Sequence, residues 1–255
     1  MTKRLIKGTA GERGRRIFIQ PADGSMKLLS YGRIRLNKEE PEICFSNDGQ
    51  ETGLICLNGT CVVKVGNESF EMKRDDALYV PKCSTIAICT EQEVDVLECS
   101  APVDGQYLLR FVAAESVRTD EKLHLVAGTD GARREINILL GNNIQAGRLI
   151  VGVTRSLPGN WTSWPPHEHA TMLEEIYVYV DMPAPAFGLQ LVYEDEISPT
   201  EVEVVREGDA VLLPAGYHPN VSIPGSTLNF VWIMAAHREV VDRKWGVVQM
   251  DPRYS

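Results

Sequence analysis

Four residues of this 255-residue chain have types and a spacing that could bind a metal ion: His167, His169, Glu175 and His218. Two histidines one residue apart on an extended strand point to the same side, because side chains alternate along a strand. Glu175 has the same odd parity and opens an alternating run that predicts the next strand. Three imidazoles and a carboxylate that converge would hold one divalent ion, and zinc, manganese, iron and nickel all accept this ligand mixture.

The alternative interpretation of these histidines is structural. A His-x-His pair occurs by chance, and a single buried histidine is more often hydrogen-bonded than bound to a metal. Here three of the five histidines of the chain fall in the pattern, in the expected order and with turn signals before each part. His124 and His237 fit no motif, and we expect them to be structural. The pattern therefore favours a metal site.

The elements that must position these residues are short strands. Apolar runs about one strand long, such as 53–57 and 77–80, are bounded by Gly, Asn, Asp or Pro, and a second series of such runs begins at residue 148. Residues 101–135 connect the two series. Long stretches of helical period are absent, so the sequence predicts an all-β sandwich or barrel.

The two halves share a short repeated pattern. The segments 76–81 and 209–214 both read Asp, Ala, three apolar residues and Pro. At the same offset His218 corresponds to Thr85, and the region 44–50 of the first half contains no His-x-His. Together with the similar strand spacing, this match predicts a duplicated barrel in which only the second copy keeps the metal chemistry.

Composition and charge exclude several classes of function. The chain is 44% hydrophobic and 24% charged, which is ordinary for a globular protein, and its net charge of -9 argues against a nucleic-acid-binding surface. No apolar run approaches the ~20 residues of a membrane helix, and the first residues lack the apolar stretch of a signal peptide. We therefore expect a cytoplasmic protein that binds neither nucleic acid nor membranes. The six cysteines show no CxxC spacing, and we expect reduced thiols.

The second half resembles the cupin superfamily, whose two motifs read Gly…His-x-His…Glu and Gly…Pro-x-Gly…His. In this chain they are Gly159…His167-Glu168-His169…Glu175 and Gly208…Pro214-Ala215-Gly216-Tyr217-His218. Further pieces make the chain similar to the bicupin uronate isomerases: Gly159-Asn160-Trp161, Pro165-Pro166-His167, Leu173-Glu174-Glu175 and Gly216-Tyr217-His218-Pro219.

This resemblance implies two tandem cupin barrels: a degenerate N-terminal barrel without metal ligands over residues 1–125, and a C-terminal metal-binding barrel over residues 126–255. It also implies that identical chains associate into a homo-oligomer. The implied activity is metal-dependent aldose–ketose isomerisation of a deoxy-uronate sugar acid. We expect one divalent ion, zinc or manganese before iron or nickel.

Several activities are compatible with the resemblance. The first is that of 5-deoxy-glucuronate isomerase of inositol catabolism, and the near alternative is 4-deoxy-5-ketouronate isomerase of pectin breakdown. A cupin dioxygenase would use the same ligands with a redox-active iron. A non-catalytic sugar-binding bicupin would need no metal chemistry, whereas this chain presents all four ligands.

Two tyrosines are the candidate catalytic residues beside the ligands. Tyr177 and Tyr179 share the parity of Glu175, and we expect both to line the cavity, with hydrogen-bonded core packing as the alternative. Glu174 has the opposite parity and should point away from the barrel interior. The sequence does not assign a catalytic base.

The carboxylate of a sugar acid needs a cation, and Arg binds carboxylates in a bidentate manner. Arg155 ends a strand just upstream of the first motif and is the candidate, while Arg148 and Arg238 lie near motif edges. A solvated surface position is the alternative for each. Trp161 and Trp164 could stack on a sugar ring or close the mouth of the barrel.

Overall fold

The computed structural model describes residues 4–194 and 201–254. Almost all regular structure in these residues is antiparallel β-strand; the helical segments are α1 (Ala114–Arg118) and a 3-10 turn at Pro21–Asp23. No helix in these ranges is both long and apolar enough to cross a membrane. The predicted all-β class is confirmed.

The first half builds a nine-stranded sheet system from β2 to β10. Its strands, with β1, are β1 (Leu5–Ile6), β2 (Gly14–Ile19), β3 (Ser30–Leu36), β4 (Glu42–Ser46), β5 (Gln50–Val65), β6 (Glu68–Lys73), β7 (Ala77–Val80), β8 (Thr85–Cys89), β9 (Val94–Pro102) and β10 (Arg110–Val112). The long strand β5 pairs with β6, β7, β8 and β9, and therefore joins the two faces of this half.

The second half contains sheets of seven, four and two strands. Its strands are β11 (His124–Ala127), β12 (Arg134–Leu140), β13 (Leu149–Ser156), β14 (Trp161–Thr162), β15 (His167–Glu168), β16 (Leu173–Tyr179), β17 (Gly188–Val192), β18 (Glu201–Val205), β19 (Ala210–Leu213), β20 (Asn220–Ser222), β21 (Asn229–Ala236) and β22 (Gln249–Met250). The seven-stranded sheet runs β1-β19-β16-β21-β13-β12-β11.

Three apolar clusters form the interior. One lies within the first half, around Leu54 and Leu78, and a second lies within the second half, around Tyr177 and Trp232. The third contains residues of both halves, with Cys99 against the layer that includes Ile176. A strand such as β16 is buried on both faces, because alternate side chains enter the cluster of its own half and the cluster between the halves.

Each half adds one edge strand from a distant part of the chain. Strand β1 of the N-terminal segment pairs with β19 of the second half, while β10, near the end of the first half, pairs with β7 of the same half. Asp209 accepts hydrogen bonds from the N–H groups of Arg206 and Gly8, and Asp76 accepts them from Lys73 and Ala114. The repeated Asp of the sequence therefore fastens the incoming strand in both halves.

Strand pairing identifies equivalent positions in the two halves. Glu175 pairs with Leu213 and Thr52 pairs with Val80, and Leu213 and Val80 hold the same place in the repeated pattern. Thr52 is therefore the counterpart of Glu175, as Thr85 is of His218. The first half therefore has threonine hydroxyl groups at the positions of two of the predicted metal ligands.

Two buried glutamates connect the halves. Glu174 accepts hydrogen bonds from the backbone N–H groups of residues 27, 28 and 29, at donor–acceptor distances of 2.8, 2.7 and 2.6 Å. Its counterpart Glu51 accepts bonds from the N–H groups of residues 147, 148 and 149 at 2.8, 2.6 and 2.7 Å, and from the Tyr79 hydroxyl. Each carboxylate thus binds the segment that leads into a strand of the opposite half.

The cysteines match the expectation from sequence. All six are free thiols, and Cys56, Cys61 and Cys99 are buried in the first half. Burial raises the pKa of the Cys99 thiol, which keeps it protonated and unreactive.

Candidate metal centre

Three of the four predicted ligands meet in the interior of the second half. Glu175 lies on β16, His169 follows the short strand β15, and His218 lies in the turn between β19 and β20. Their potential ligand atoms all lie within 4.8 Å of one another. At most 6% of each residue is exposed. A metal ion could be held by a cluster of at least three His, Cys, Asp or Glu residues, and the described residues contain one such cluster, this one.

The spacing of these atoms fits a metal ion. The Oε2 atom of Glu175 lies 3.0 Å from Nε2 of His169 and 3.2 Å from Nε2 of His218. Ligands bonded at about 2.1 Å to one ion are separated by roughly 3.0–3.4 Å in octahedral or tetrahedral geometry. Nε2 of His218 has no hydrogen-bond partner despite its burial, because its contact with Glu175 lacks hydrogen-bond geometry. Buried polar atoms in proteins normally have a bonding partner, and a metal ion would provide one for this nitrogen.

His167, the fourth predicted ligand, lies beside this group and not within it. The centre of its ring is 5.1 Å from that of His218 and 6.4 Å from that of His169. Its Nδ1 atom is 3.0 Å from the carbonyl oxygen of Pro165. Strand β22 pairs with β15, with Met250 opposite His167, so the end of the chain holds this histidine in place.

Backbone carbonyl groups orient all three imidazoles. Nδ1 of His167 contacts Pro165 O, Nδ1 of His169 contacts Leu173 O at 3.4 Å, and Nδ1 of His218 contacts Gly216 O at 2.8 Å. If each Nδ1 donates to its carbonyl, each Nε2 is left as an electron-pair donor. Fixed tautomers of this kind are a common property of metal-binding histidines.

The charges of the group suit a cation. Burial alone would raise the pKa of Glu175, but the charge and hydrogen bond of His169 bring it down to about 2. Burial and the neighbouring His218 lower the pKa of His167 to about 3, so its imidazole is neutral at pH 7. Burial acts against the charge of His169, but Glu175 outweighs it and raises the pKa. The centre thus offers an ionised carboxylate beside imidazoles whose Nε2 atoms face it.

Three of the four candidate ligands, His167, His169 and Glu175, lie in the wall of a cavity of about 330 Å³, and His218 is not part of this wall. Besides the ligand residues His167, His169 and Glu175, its polar wall contains Arg134, Thr154, Ser163 and Tyr177. Aromatic and apolar residues form the remainder of the wall: Leu125, Ala127, Ile136, Trp164, Pro165, Leu173, Phe230, Trp232, Met234, Trp245, Gly246, Val247, Val248 and Met250. A largely apolar cavity with a few polar groups is typical of a small-molecule site.

The other predicted site residues are placed differently. Tyr177 lines the cavity, and its hydroxyl lies 2.8 Å from Oγ of Ser163. Burial, reinforced by the charge of Glu175, raises the pKa of Tyr177 well above its usual value, so the phenol is neutral. Tyr179 does not reach the cavity, since its hydroxyl donates to Gln190 Oε1. Arg155 also lies outside the cavity wall and pairs with Asp75 at 2.8 Å.

Three of the four remaining arginine and tryptophan candidates, Arg148, Arg238 and Trp161, are also outside the cavity wall. Arg148 donates to the carbonyl groups of residues 102, 236 and 237, and Arg238 pairs with Asp242. Trp164 lines the cavity, and the ring of Trp161 packs against it at a centroid distance of 5.1 Å. Of these four candidates, the structure therefore places one, Trp164, in the cavity wall.

Arg134, Ser163 and the segment 245–250 were not predicted as site residues. Arg134 and residues 249–250 lie outside the motifs and reach the cavity through the pairing of β12 with β13 and of β22 with β15. Ser163 lies between Gly159 and His167 of the first motif, but its residue type alone did not mark it. A compositional signal was present in the apolar run Val247-Val248, which lies in a short segment following Trp245 and Gly246.

Removal of bound metal should lower the thermal stability of the protein. A metal present at a hundredfold excess over its Kd stabilises the folded state by about 2.7 kcal/mol. For a chain of this size, this corresponds to a Tm shift of roughly 5–10 °C. Scanning calorimetry before and after dialysis against a chelator measures the shift, and re-addition of the metal should restore the Tm. An unchanged Tm in a protein shown to have lost its metal would contradict a buried ligand set.

The sequence matches the model of the KduI/IolB family over residues 5–254. The 5-deoxy-glucuronate isomerase of Geobacillus kaustophilus is 32% identical over 203 residues, covering 73% of this chain and 72% of that protein. The enzyme of the same name from Geobacillus thermodenitrificans is 30% identical over 241 residues, covering 88% of this chain and 86% of that protein.

Solved structures show the same fold. An IolB-like protein from Salmonella typhimurium LT2 superposes with a TM-score of 0.88 at 24% identity, covering 100% of this chain and 98% of that one. A cupin 2 conserved barrel domain protein from Leptotrichia buccalis gives a TM-score of 0.54 at 14% identity, with 92% and 91% of the two chains covered. The resemblance seen in the motifs is confirmed: this chain belongs to the KduI/IolB family and is an isomerase.

Proposed function

We propose that the protein is a metal-dependent deoxy-uronate isomerase whose substrate is 5-deoxy-glucuronate. The observation that supports it most directly is the convergence of His169, Glu175 and His218, of which His169 and Glu175 line a mainly apolar cavity. The curated relatives that cover most of the chain bear the name of this activity. His167 is proposed as the fourth ligand, since its Nδ1 faces a carbonyl group and its ring lies against His218.

The cavity residues suit an isomerisation in which a proton moves between adjacent carbons. A divalent ion held by the three imidazoles and Glu175 would act as a Lewis acid on the carbonyl and hydroxyl oxygens of the substrate. Zinc or manganese is our expectation, because this chemistry needs no change of oxidation state. Trp164, Trp232 and Trp245 line the cavity, and against a bound sugar they would displace water and so protect a reactive intermediate.

Tyr177 is the proposed catalytic residue of the protein itself. Its neutral hydroxyl, positioned by Ser163, can donate a hydrogen bond to a substrate oxygen on which charge develops. The Tyr177→Phe variant should keep its metal and its fold and lose roughly 10²- to 10⁴-fold in kcat. Steady-state assays with metal analysis on the same samples measure both properties. A variant with full kcat would remove Tyr177 from the mechanism.

The decisive experiment compares substrates and metals together. Protein purified without added metal is analysed for its metal content, and 5-deoxy-glucuronate and 4-deoxy-5-ketouronate are then supplied to it as substrates. We expect about one equivalent of zinc or manganese per chain and a higher kcat/KM for 5-deoxy-glucuronate. Stoichiometric iron together with inactivity on both acids would favour a dioxygenase. A protein that neither contains nor takes up metal would contradict the proposal and leave a sugar-binding module.

We also propose that the two halves are tandem barrels, 1–125 and 126–255, of which only the second binds metal. The separate apolar clusters of the two halves, and Thr52 and Thr85 at the counterpart positions of ligands, support this division. The cytoplasmic location and the homo-oligomeric state remain predictions from sequence.

A further inference from the structure

Among the described residues, one lysine or arginine side chain lines the cavity, that of Arg134. This residue begins β12, opposite Ser156 on β13. Its Nη1 donates to the carbonyl oxygen of Ala132 and its Nη2 to that of Trp164, both at 2.9 Å. Two backbone bonds therefore fix the plane of the guanidinium group, and its other N–H donors remain for a ligand.

The guanidinium group of Arg134 has no anionic partner among the described residues. No carboxylate oxygen of these residues lies within 4.0 Å of its nitrogen atoms. In contrast, Arg155 pairs with Asp75 and Arg238 pairs with Asp242. Arg134 is also partly buried, and this burial lowers its pKa without making it neutral at pH 7. A half-buried cation without a counter-ion is costly for the folded protein.

The position of Arg134 relative to the metal ligands suits a two-ended substrate. Glu175 and Tyr177 lie one strand repeat apart on β16, which is roughly 6.6 Å. The Tyr177 hydroxyl contacts Ser163, and the next residue, Trp164, provides the carbonyl group that holds Arg134. The wall therefore carries metal ligands at one place and a cation farther along. A six-carbon acid, whose five C–C bonds of about 1.5 Å each span roughly 6 Å, is about as long as the strand repeat that separates Glu175 from Tyr177.

We infer that Arg134 binds the carboxylate of the sugar acid, while the carbonyl end of the substrate faces the metal ligands. This inference rests on the proposed function, since it assigns the second end of the same substrate. Arg134 would thereby make the cavity specific for acids over neutral sugars. An aldose of the same size would leave this cation desolvated and unpaired, which costs more than the lost attraction alone.

The test measures discrimination between an acid and its neutral analogue. Binding of D-glucuronate and D-glucose to the metal-loaded protein is followed by titration calorimetry in wild type, Arg134→Met and Arg133→Met. Arg133 is the adjacent arginine, and it is exposed. We expect wild type and Arg133→Met to prefer the acid by roughly 30-fold or more, and Arg134→Met to lose that preference. Metal content should be equal in all three proteins.

The outcomes separate this inference from the proposed function. An Arg134→Met variant that still prefers the acid, or a wild type that does not, would overturn the role of Arg134. A wild type that prefers the acid through Arg134 but does not isomerise 5-deoxy-glucuronate would support Arg134 and contradict the proposed reaction. Arg134→Lys keeps the charge without the planar fork, and we expect it to recover part of the preference. Circular dichroism confirms that each variant is folded, and Arg134→Gln serves as a second neutral variant.

Discussion

The Glu175→Gln and His218→Ala variants should each lose bound metal and at least about 10³-fold in kcat/KM while remaining folded. Both residues contribute atoms to the buried group, and each lost ligand leaves the others too few to hold an ion tightly. A Lewis acid contributes several kcal/mol of transition-state stabilisation, and each 1.36 kcal/mol is a factor of ten in rate. Metal analysis and kinetic assays on the same preparations test both parts.

A matched control for these variants is His124→Ala. His124 hydrogen-bonds through Nδ1 to Asn137 and lies outside the cavity wall. It should therefore retain metal and activity. A His218→Ala variant with a full equivalent of metal would show that the group is not the binding site. Metal loss with unchanged activity would instead show that the reaction does not depend on the metal.

The Glu174→Ala variant should lose about 3–5 kcal/mol of unfolding free energy, although it neighbours a proposed metal ligand. Its carboxylate is the acceptor for three backbone N–H groups of the segment 27–29. Alanine would leave these three donors, of which that of Leu29 is fully buried, without their partner, and each unsatisfied buried group costs about 1–3 kcal/mol. Urea unfolding measures the change. Metal content per folded molecule should stay at the wild-type level, because Glu174 points away from the cavity.

Two further variants show whether this loss is specific. Glu51→Ala should destabilise the protein by a similar amount, since Glu51 holds the segment 147–149 in the same manner. Glu71→Ala removes an exposed carboxylate from β6 and should change the stability by less than about 0.5 kcal/mol. If Glu174→Ala and Glu51→Ala were as stable as Glu71→Ala, the two buried glutamates would not stabilise the contact between the halves.

The parity of residues along a strand predicted much of the site. Glu175 and Tyr177 line the cavity as expected, and Glu174 points away from it, because alternation in a strand is a local property that sequence reveals. Alternation along one strand does not show which face of a neighbouring strand borders the cavity. Arg155 shares its parity with Val151 and Val153, and on β13 that parity faces the cluster between the halves. Thr154 is the residue of this region that lines the cavity.

Other parts of the site depend on contacts between distant segments. Tyr179 has the expected parity, but Gln190 and Asn220 from other strands bind its hydroxyl in the interior. Arg134 and the strand at residues 249–250 reach the cavity through pairing with β13 and β15. The motif spacing identifies His169, Glu175 and His218 because each lies in a short segment, strand β16 or a turn, that is encoded locally. The remainder of the wall is encoded by tertiary pairing, which spacing does not reveal.

The pairing of β1 with β19 constrains the order in which this chain can be completed during synthesis. Leu5 leaves the ribosome roughly 200 residues before its partner Val211. At typical elongation rates this delay is roughly 10–40 s. Strand β10, in contrast, meets β7 after only about 30 residues. The nascent first half can therefore close its own sheet early, while β1 remains without this partner until β19 has been made.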